Sequence, residues 1–271
     1  MPDKLRYYAS VGLFYLKLSL QKQLEYPMYY LSCFVMIPLM YGTGILLLRF
    51  IVSNFQPLSG WTFAELAFLY GLGQLSHGIT MVFSVQNLWL ETYVLRGEFD
   101  RMLLRPLGVF YQFTVKYINI IGLMDVAVGV AILIYGSRLA HFEWTVGHTI
   151  RIGLVVAGAA LIRSSVFTIF CSVAFWTKRS QSMFMLLNDF MERSTLYPLS
   201  IYPYALQAVL TAALPIAFIS FYPACAMLDK ACRAPGLPDI SLWTPIVGAV
   251  LFVLAHFVFN RGLRNYESAG A

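Results

Sequence analysis

Chemistry-bearing side chains are few in this sequence, and one place concentrates them. The stretch LRGEFDRMLLRPLG, residues 95–108, sets Arg96, Glu98, Asp100, Arg101 and Arg105 within ten positions of a chain that is 59% hydrophobic and 12% charged. They form no catalytic set: no serine nucleophile stands with a recognisable base, and no H-E-x-x-H pattern offers metal ligands. His141, Glu143 and His148 in HFEWTVGH lack metal-ligand spacing and read as interfacial polar residues. His77, beside Gln74 and Ser76, reads as a hydrogen-bonded packing residue rather than a proton carrier. A glycine-rich GxxxxGK[ST] phosphate loop is absent, so nucleotide chemistry, where needed, belongs to another chain. The expectation is a non-catalytic chain with no cofactor or metal of its own.

Two charges stand inside otherwise apolar stretches, Asp125 in IIGLMDVAVGV and Arg163 in AALIRSSVFTI. Left alone in lipid, each costs roughly 2.5–3.5 kcal/mol on insertion scales. Counted along their segments at about 1.5 Å per residue, they lie at similar depth, so they are expected to form an intramembrane ion pair. Such a pair either clamps adjacent spans or lines a polar path. Of the four cysteines, Cys33 and Cys171 lie in apolar segments and read as packing residues. Cys225 and Cys232, in CAMLDKAC, flank a short polar loop where a disulfide or two free thiols fit equally well.

The elements that must position these residues follow from composition. An apolar share of 59% lies outside the roughly 45–50% of soluble domains, and a span needs about 20 mainly apolar residues. An all-α polytopic membrane protein is expected, a single transmembrane domain over 1–271. Its six spans are read near 27–48, 62–84, 114–136, 150–174, 204–225 and 243–260. Residues 1–26 carry Lys4, Arg6, Lys17 and Lys22 among leucines at helical spacing, which fits a helix lying in the membrane interface and not a cleaved signal peptide. With the N-terminus inside, Lys4, Arg6, Lys17, Lys22, Arg96, Arg101, Arg105, Lys116, Lys178, Arg179, Arg193, Arg261 and Arg264 are cytoplasmic. Only Arg49, Arg138, Arg151, Lys230 and Arg233 are outside, so both termini are expected in the cytoplasm. Spread over several loops, these charges do not describe a nucleic-acid surface. The prolines of 204–225 favour a broken or re-entrant helix over a straight rod. Residues 182–199, with Asn188, Asp189, Glu192 and Arg193, read as a cytoplasmic interfacial helix, with a buried fifth span as the rival.

On this layout 86–108 is a cytoplasmic loop. At 100° per residue, 95–106 places Leu95, Phe99, Met102, Leu103 and Pro106 on one side and the charges on the other. A lipid-binding helix would be mostly basic, whereas mixed signs beside an apolar stripe suit docking into another protein. The alternative is a solvated connector.

The run Gly97, Asp100, Leu103, Arg105 and Pro106 resembles the G-x-x-D-x-x-L-x-R-P loop of the type-2 ABC exporter permeases, in their small six-span bacterial branch. Near the end, YPLSIYP, LPIAFISFYPACAML and NRGLRNYESAGA resemble, in order, the close of the same permeases. The resemblance implies a permease in the bacterial inner membrane that pairs with a second permease chain, identical or homologous. It also implies two copies of a separate ABC ATPase subunit, which hold the ATP and Mg. Arg96, Gly97, Glu98, Phe99, Asp100, Arg101, Leu103, Arg105 and Pro106 would then form the coupling helix seated in the ATPase. An ion-coupled carrier would need internal repeats around a midplane ion site, and the two halves show none; it remains the alternative, with a non-transporting structural subunit.

Overall fold

A computed structural model of the protein describes residues 2–54, 58–230 and 243–267, and among these every regular element is helical. Five stretches are long and apolar enough to cross a membrane: Pro27–Asn54, Phe63–Leu95, Ile121–Leu139, Val146–Thr177 and Thr244–Leu263. The chain is an all-α polytopic membrane protein. Its helices are α1 (Pro2–Leu24), α2 (Pro27–Asn54), α3 (Phe63–Ser84), the short α4 (Leu90–Leu95), α5 (Glu98–Leu103) and α6 (Val109–Val115), then α7 (Ile121–Leu139) and α8 (Val146–Cys171). After these come α9 (Ala174–Thr177), α10 (Gln181–Leu196), α11 (Tyr204–Ala208), α12 (Phe221–Met227) and α13 (Thr244–Leu263). The end of the bundle that carries α1, α5 and residues 264–267 is called proximal, and the end at 58–61 distal.

Buried α3 is the axis. Its start is fixed by a capping box: Glu65 donates its backbone N–H to the Thr62 hydroxyl (3.4 Å), and the Thr62 N–H donates to the Glu65 carboxylate (2.7 Å). Lipid tails are as apolar as leucine, so helices in a membrane associate by close packing rather than by escape from water. The chain provides for this with glycines seven residues apart, Gly71 and Gly78 on α3 and Gly122, Gly129 and Gly136 on α7. A Cβ at Gly78 would stand 2.4 Å from the Val126 nitrogen, and one at Gly136 would stand 2.4 Å from the Phe68 nitrogen. Helix α8 packs on α3 as well, where Thr80 donates to the Ala160 carbonyl (3.3 Å) and Ser84 meets Ser164 (2.7 Å). It crosses α13 at Gly158 and Gly248, where a Cβ on Gly248 would lie 2.5 Å from the Gly158 carbonyl.

Two expected boundaries change. The third span begins at Ile121, not near 114, because residues 116–120 leave the helix. Backbone freed in an apolar setting must find partners, and α1 supplies them. Ser19 bonds the Ile118 carbonyl and amide (2.9 and 3.0 Å), and Gln23 bonds the Ile118 carbonyl and the Ile120 amide (2.6 and 2.8 Å). Helix α10, expected at the interface, lies along the proximal half of α3 instead, and the residues after it continue to the distal end. At its start the Ser180 and Gln181 amides donate to Glu91, just past the proximal end of α3, at 2.7 and 3.0 Å. Beyond its end the Ser200 carbonyl accepts from Ser59, just before the distal end of α3, at 3.3 Å. Its buried stripe of Phe184, Leu187, Met191 and Thr195 explains how so polar a helix can do this. The stretch 204–225 is the broken helix its prolines favour, a bent pair rather than a straight rod. Residues 204–213 and 216–227 meet at 78° around Pro215, Thr211 bonds Tyr222 across the bend (2.9 Å), and Lys230 returns to the Gly60 carbonyl (2.8 Å). Both ends of the pair are therefore distal, so the chain passes from the proximal to the distal end through α10 and the residues after it.

Candidate functional site

At the proximal end, α3 continues through a tight turn at Val85–Trp89 into α4, and the outward segment follows. The helix expected over 95–106 is shorter, because Gly97 takes a left-handed conformation (φ 64°) that stops α4 and re-aims the chain. Phe99 is 0% exposed and lies among Tyr93, Phe113, Phe175, Phe259 and Tyr266, with ring centroids 5.2–6.2 Å away. Met102 is buried beside it, and Gln112 donates to the carbonyls of Met102 (2.8 Å) and Leu107 (2.9 Å), fixing the turn that follows.

The expected two-faced division is thereby redrawn. Phe99 and Met102 face inward as expected, but Leu95, Leu103 and Pro106 are exposed, and Leu104 is 87% exposed. Of the charges, Glu98 turns inward to Lys116, whose ammonium lies 4.3 Å from the centre of the Tyr93 ring. Asp100 is half-buried, and Arg105 reaches back to the Tyr15 hydroxyl of α1. Arg96 and Arg101 are exposed. What faces outward is apolar and basic rather than mixed in sign.

The second expected site is a correction. Among the described residues no ion pair joins Asp125 to Arg163, because α3 packs between α7 and α8 and α10 fills the groove beside them. Fully buried Arg163 donates to Thr195 of α10 (3.0 Å) and approaches His77 of α3 (3.5 Å). His77 lies 3.4 Å from Glu192 of α10, which accepts from Tyr41 of α2 (3.4 Å). Asp125 of α7, also buried, lies close to the same Tyr41. Five helices thus meet in one buried polar cluster, in which Arg163 Nε and Gln74 Nε2 have no protein partner. His77 is buried and stands between Arg163 and Glu192.

Glu192, Thr195, Tyr41 and Glu91 were not singled out as site residues. Glu192 was visible as a charge in an amphipathic stretch, and Tyr41 and Thr195 carried no signal above an ordinary apolar or polar position. His148 Nδ1 bonds the Glu143 carbonyl (2.7 Å), so that stretch closes a local turn, and among the described residues no group of His, Cys, Asp and Glu is arranged to hold a metal. Cys33 and Cys171 are free thiols; Cys225 is buried and not among them, and Cys232 lies outside the described residues.

A family model described as ABC-2 family transporter protein matches residues 38–270. The match spans the outward segment, all members of the polar cluster and the bent pair. Comparison with curated proteins and with solved structures gives no match.

Proposed function

Since the chain belongs to the ABC-2 transporter family, we propose that it is the permease subunit of an ATP-driven exporter, paired with a second permease chain and coupled to separate ATPase subunits. The observation that carries this is the construction of residues 95–107. A buried aromatic pin, Phe99, fixes the segment to the bundle, while Leu103, Leu104 and Arg101 are left outside, uncovered by any of the described residues. A connector does not need an exposed leucine pair on a six-residue helix held this firmly. A docking element does, since interfaces are anchored by a few well-packed apolar side chains with charges at the rim. Because 63–95 is continuous, motion imposed at α5 is carried along α3 to the distal end.

Pairing of two permeases is supported by α10. Asp189 and Arg193 bond each other (2.8 Å) on its exposed side, in the half of α10 that lies against the middle of α3. Charges at such depth face protein or a water-filled path rather than lipid, and a second chain supplies both. In this reading the proximal face is cytoplasmic, the membrane is the bacterial inner membrane, and ATP and Mg stay on the partner.

The experiment is co-purification. Leu104→Asp, at a position with no packing to lose, is expected to insert and elute normally but release the ATPase subunit. An ATPase retained and stimulated as in the unchanged protein would sink the docking role. Reporter fusions after Ser53 and after Ala271 are expected on opposite sides of the membrane, and a shared side would overturn the topology.

A further inference from the structure

Three segments meet at the proximal end around a pocket of about 430 Å³: the end of α4, the turn after α9 and the residues after α13. Its rim carries Trp176, Lys178, Arg264 and Glu267, and Phe175 and Tyr266 form its inner wall. Two cations against one carboxylate leave a net positive charge of one. Lys178 holds a left-handed conformation (φ 58°) that glycine adopts at less cost, so the backbone there gives no reason for a lysine. Basic pockets between the ends of membrane helices are places where lipid headgroups bind.

What lies beside the pocket identifies the source of the anion. On α13, Ile246, Val250, Val253 and Phe257 follow at steps of four, three and four, and all are more than half exposed. Arg261 and Arg264 continue the same face at steps of four and three, and both are exposed. An acyl chain laid along that stripe brings its phosphate to Arg264. Free phosphate would use the pocket and leave the stripe idle, and so would an acidic protein segment. Half-exposed Trp176 at the rim stands where aromatic side chains anchor to headgroups.

We propose that this pocket binds the headgroup of an anionic phospholipid, a phosphodiester with one net negative charge. Lys178 and Arg264 hold the phosphate oxygens, while the Glu267 carboxylate on the rim opposes part of the phosphate charge. Phe175 and Tyr266 separate the headgroup from Phe99, at 5.2 and 5.6 Å from that ring, so occupancy stiffens the wall against which α5 is pinned. That last link rests on the coupling role argued above; the lipid site itself does not.

The test is native mass spectrometry of the full chain in mild detergent, with phosphatidylglycerol, phosphatidylcholine or inorganic phosphate added. Phosphatidylglycerol is expected to be retained in preference to phosphatidylcholine, and millimolar phosphate is expected not to displace it. A cation near the headgroup is worth enough to change retention about five-fold. Arg264→Gln is thus expected to lower it by about that factor and the double change with Lys178→Gln by roughly thirty-fold. Glu267→Gln, at an exposed position that leaves folding alone, is expected to raise it. Equal retention of the two lipids, displacement by phosphate, or unchanged retention in the double variant together with no gain in Glu267→Gln would each overturn the site. Loss of ATPase coupling with lipid retention intact would instead count against the permease reading alone.

Discussion

At the proximal end, Arg101 on a six-residue helix and Leu104 just past its end stand in the open, whereas Arg163 is buried where α8 meets four other helices. Both regions draw on the same residue types, and the difference lies in what surrounds them. Around Arg163 most polar groups are answered from within the chain, since an unpaired buried charge is costly, although Arg163 Nε and Gln74 Nε2 have no partner among the described residues. Thr195, His77, Glu192 and Tyr41 provide those answers from three other helices. Around α5 only the inner side is answered, by rings and by Lys116, and the outer side is left to a partner. A closed polar network holds helices together, and a half-closed one marks a surface.

The largest effect is expected where the network is closed. Arg163→Met removes the cation that the cluster is built around, and breaking a buried charge arrangement costs roughly 3–5 kcal/mol. Thermal unfolding in detergent is expected to show that loss, with partial recovery when Glu192→Gln is added. In double-mutant cycles Arg163 is expected to couple more strongly to Glu192 than to Asp125. Equal or stronger coupling to Asp125 would restore the direct pair that the sequence suggests. Next in size is Phe99→Ala, which empties a site among five aromatic rings and is expected to cost about 3–5 kcal/mol. Leu104→Ala, in the same segment, is expected to leave the melting point where it was. A shared loss at both positions would erase the distinction between pin and docking face.

How far these regions were legible in the sequence follows from the same contrast. The apolar stretches behind α2, α3, α7, α8 and α13 announce themselves by composition, since lipid imposes a one-dimensional rule. Phe99 and Met102 were found by helical spacing, and the ordered motifs pointed to the family that matches 38–270. The partner of Arg163 is not legible in the sequence: similar depth points to Asp125, but α3 stands between α7 and α8, and lateral order leaves no trace in hydropathy. Helix α10 was misplaced for a related reason. Asn188, Asp189, Glu192 and Arg193 lower its apolar character, and only the cluster it completes explains its place beside α3. The outward turn of Leu103 depends on one left-handed glycine, which spacing alone does not reveal. The seven-residue glycine series was present in the sequence and shows how closely α3 and α7 approach.

That series sharpens the comparison at a smaller scale, because the buried network keeps its distances only if α3 and α7 keep theirs. A Cβ at Gly78 meets the Asp125–Val126 backbone at 2.4–2.8 Å, whereas one at Gly42 on α2 meets nothing within 4 Å. Gly78→Ala is therefore expected to destabilise by about 1–3 kcal/mol, as overpacking does. Gly42→Ala is expected to be neutral or to stabilise by up to about 1 kcal/mol, as alanine does in a helix interior. Similar losses at both would mean that the two helices are not held by backbone contact.

The smallest effect on the chain itself is expected at Arg96 and Arg101. Both are exposed, and solvated charges contribute only about 0–1 kcal/mol each to stability. Their replacement by Gln is expected to leave the melting point and insertion unchanged. Their consequence lies in association. With Glu98 occupied by Lys116, the outer face presents arginines around Leu103 and Leu104, so a partner surface with acidic groups around an apolar hollow complements it. Rim charges of this kind set the rate of encounter and its sensitivity to salt more than the final affinity. ATPase binding by the unchanged permease is expected to slow as ionic strength rises and the Debye length shrinks from about 10 Å at 0.1 M. The Arg96→Gln, Arg101→Gln variant is expected to bind more slowly at low salt and to lose most of that salt dependence, while dissociation, governed by Leu104, stays the same. Stopped-flow association against salt separates the two terms. A variant whose salt dependence equals that of the unchanged chain would show that the arginines face water in the complex as they do here, and that the leucines alone make the docking face.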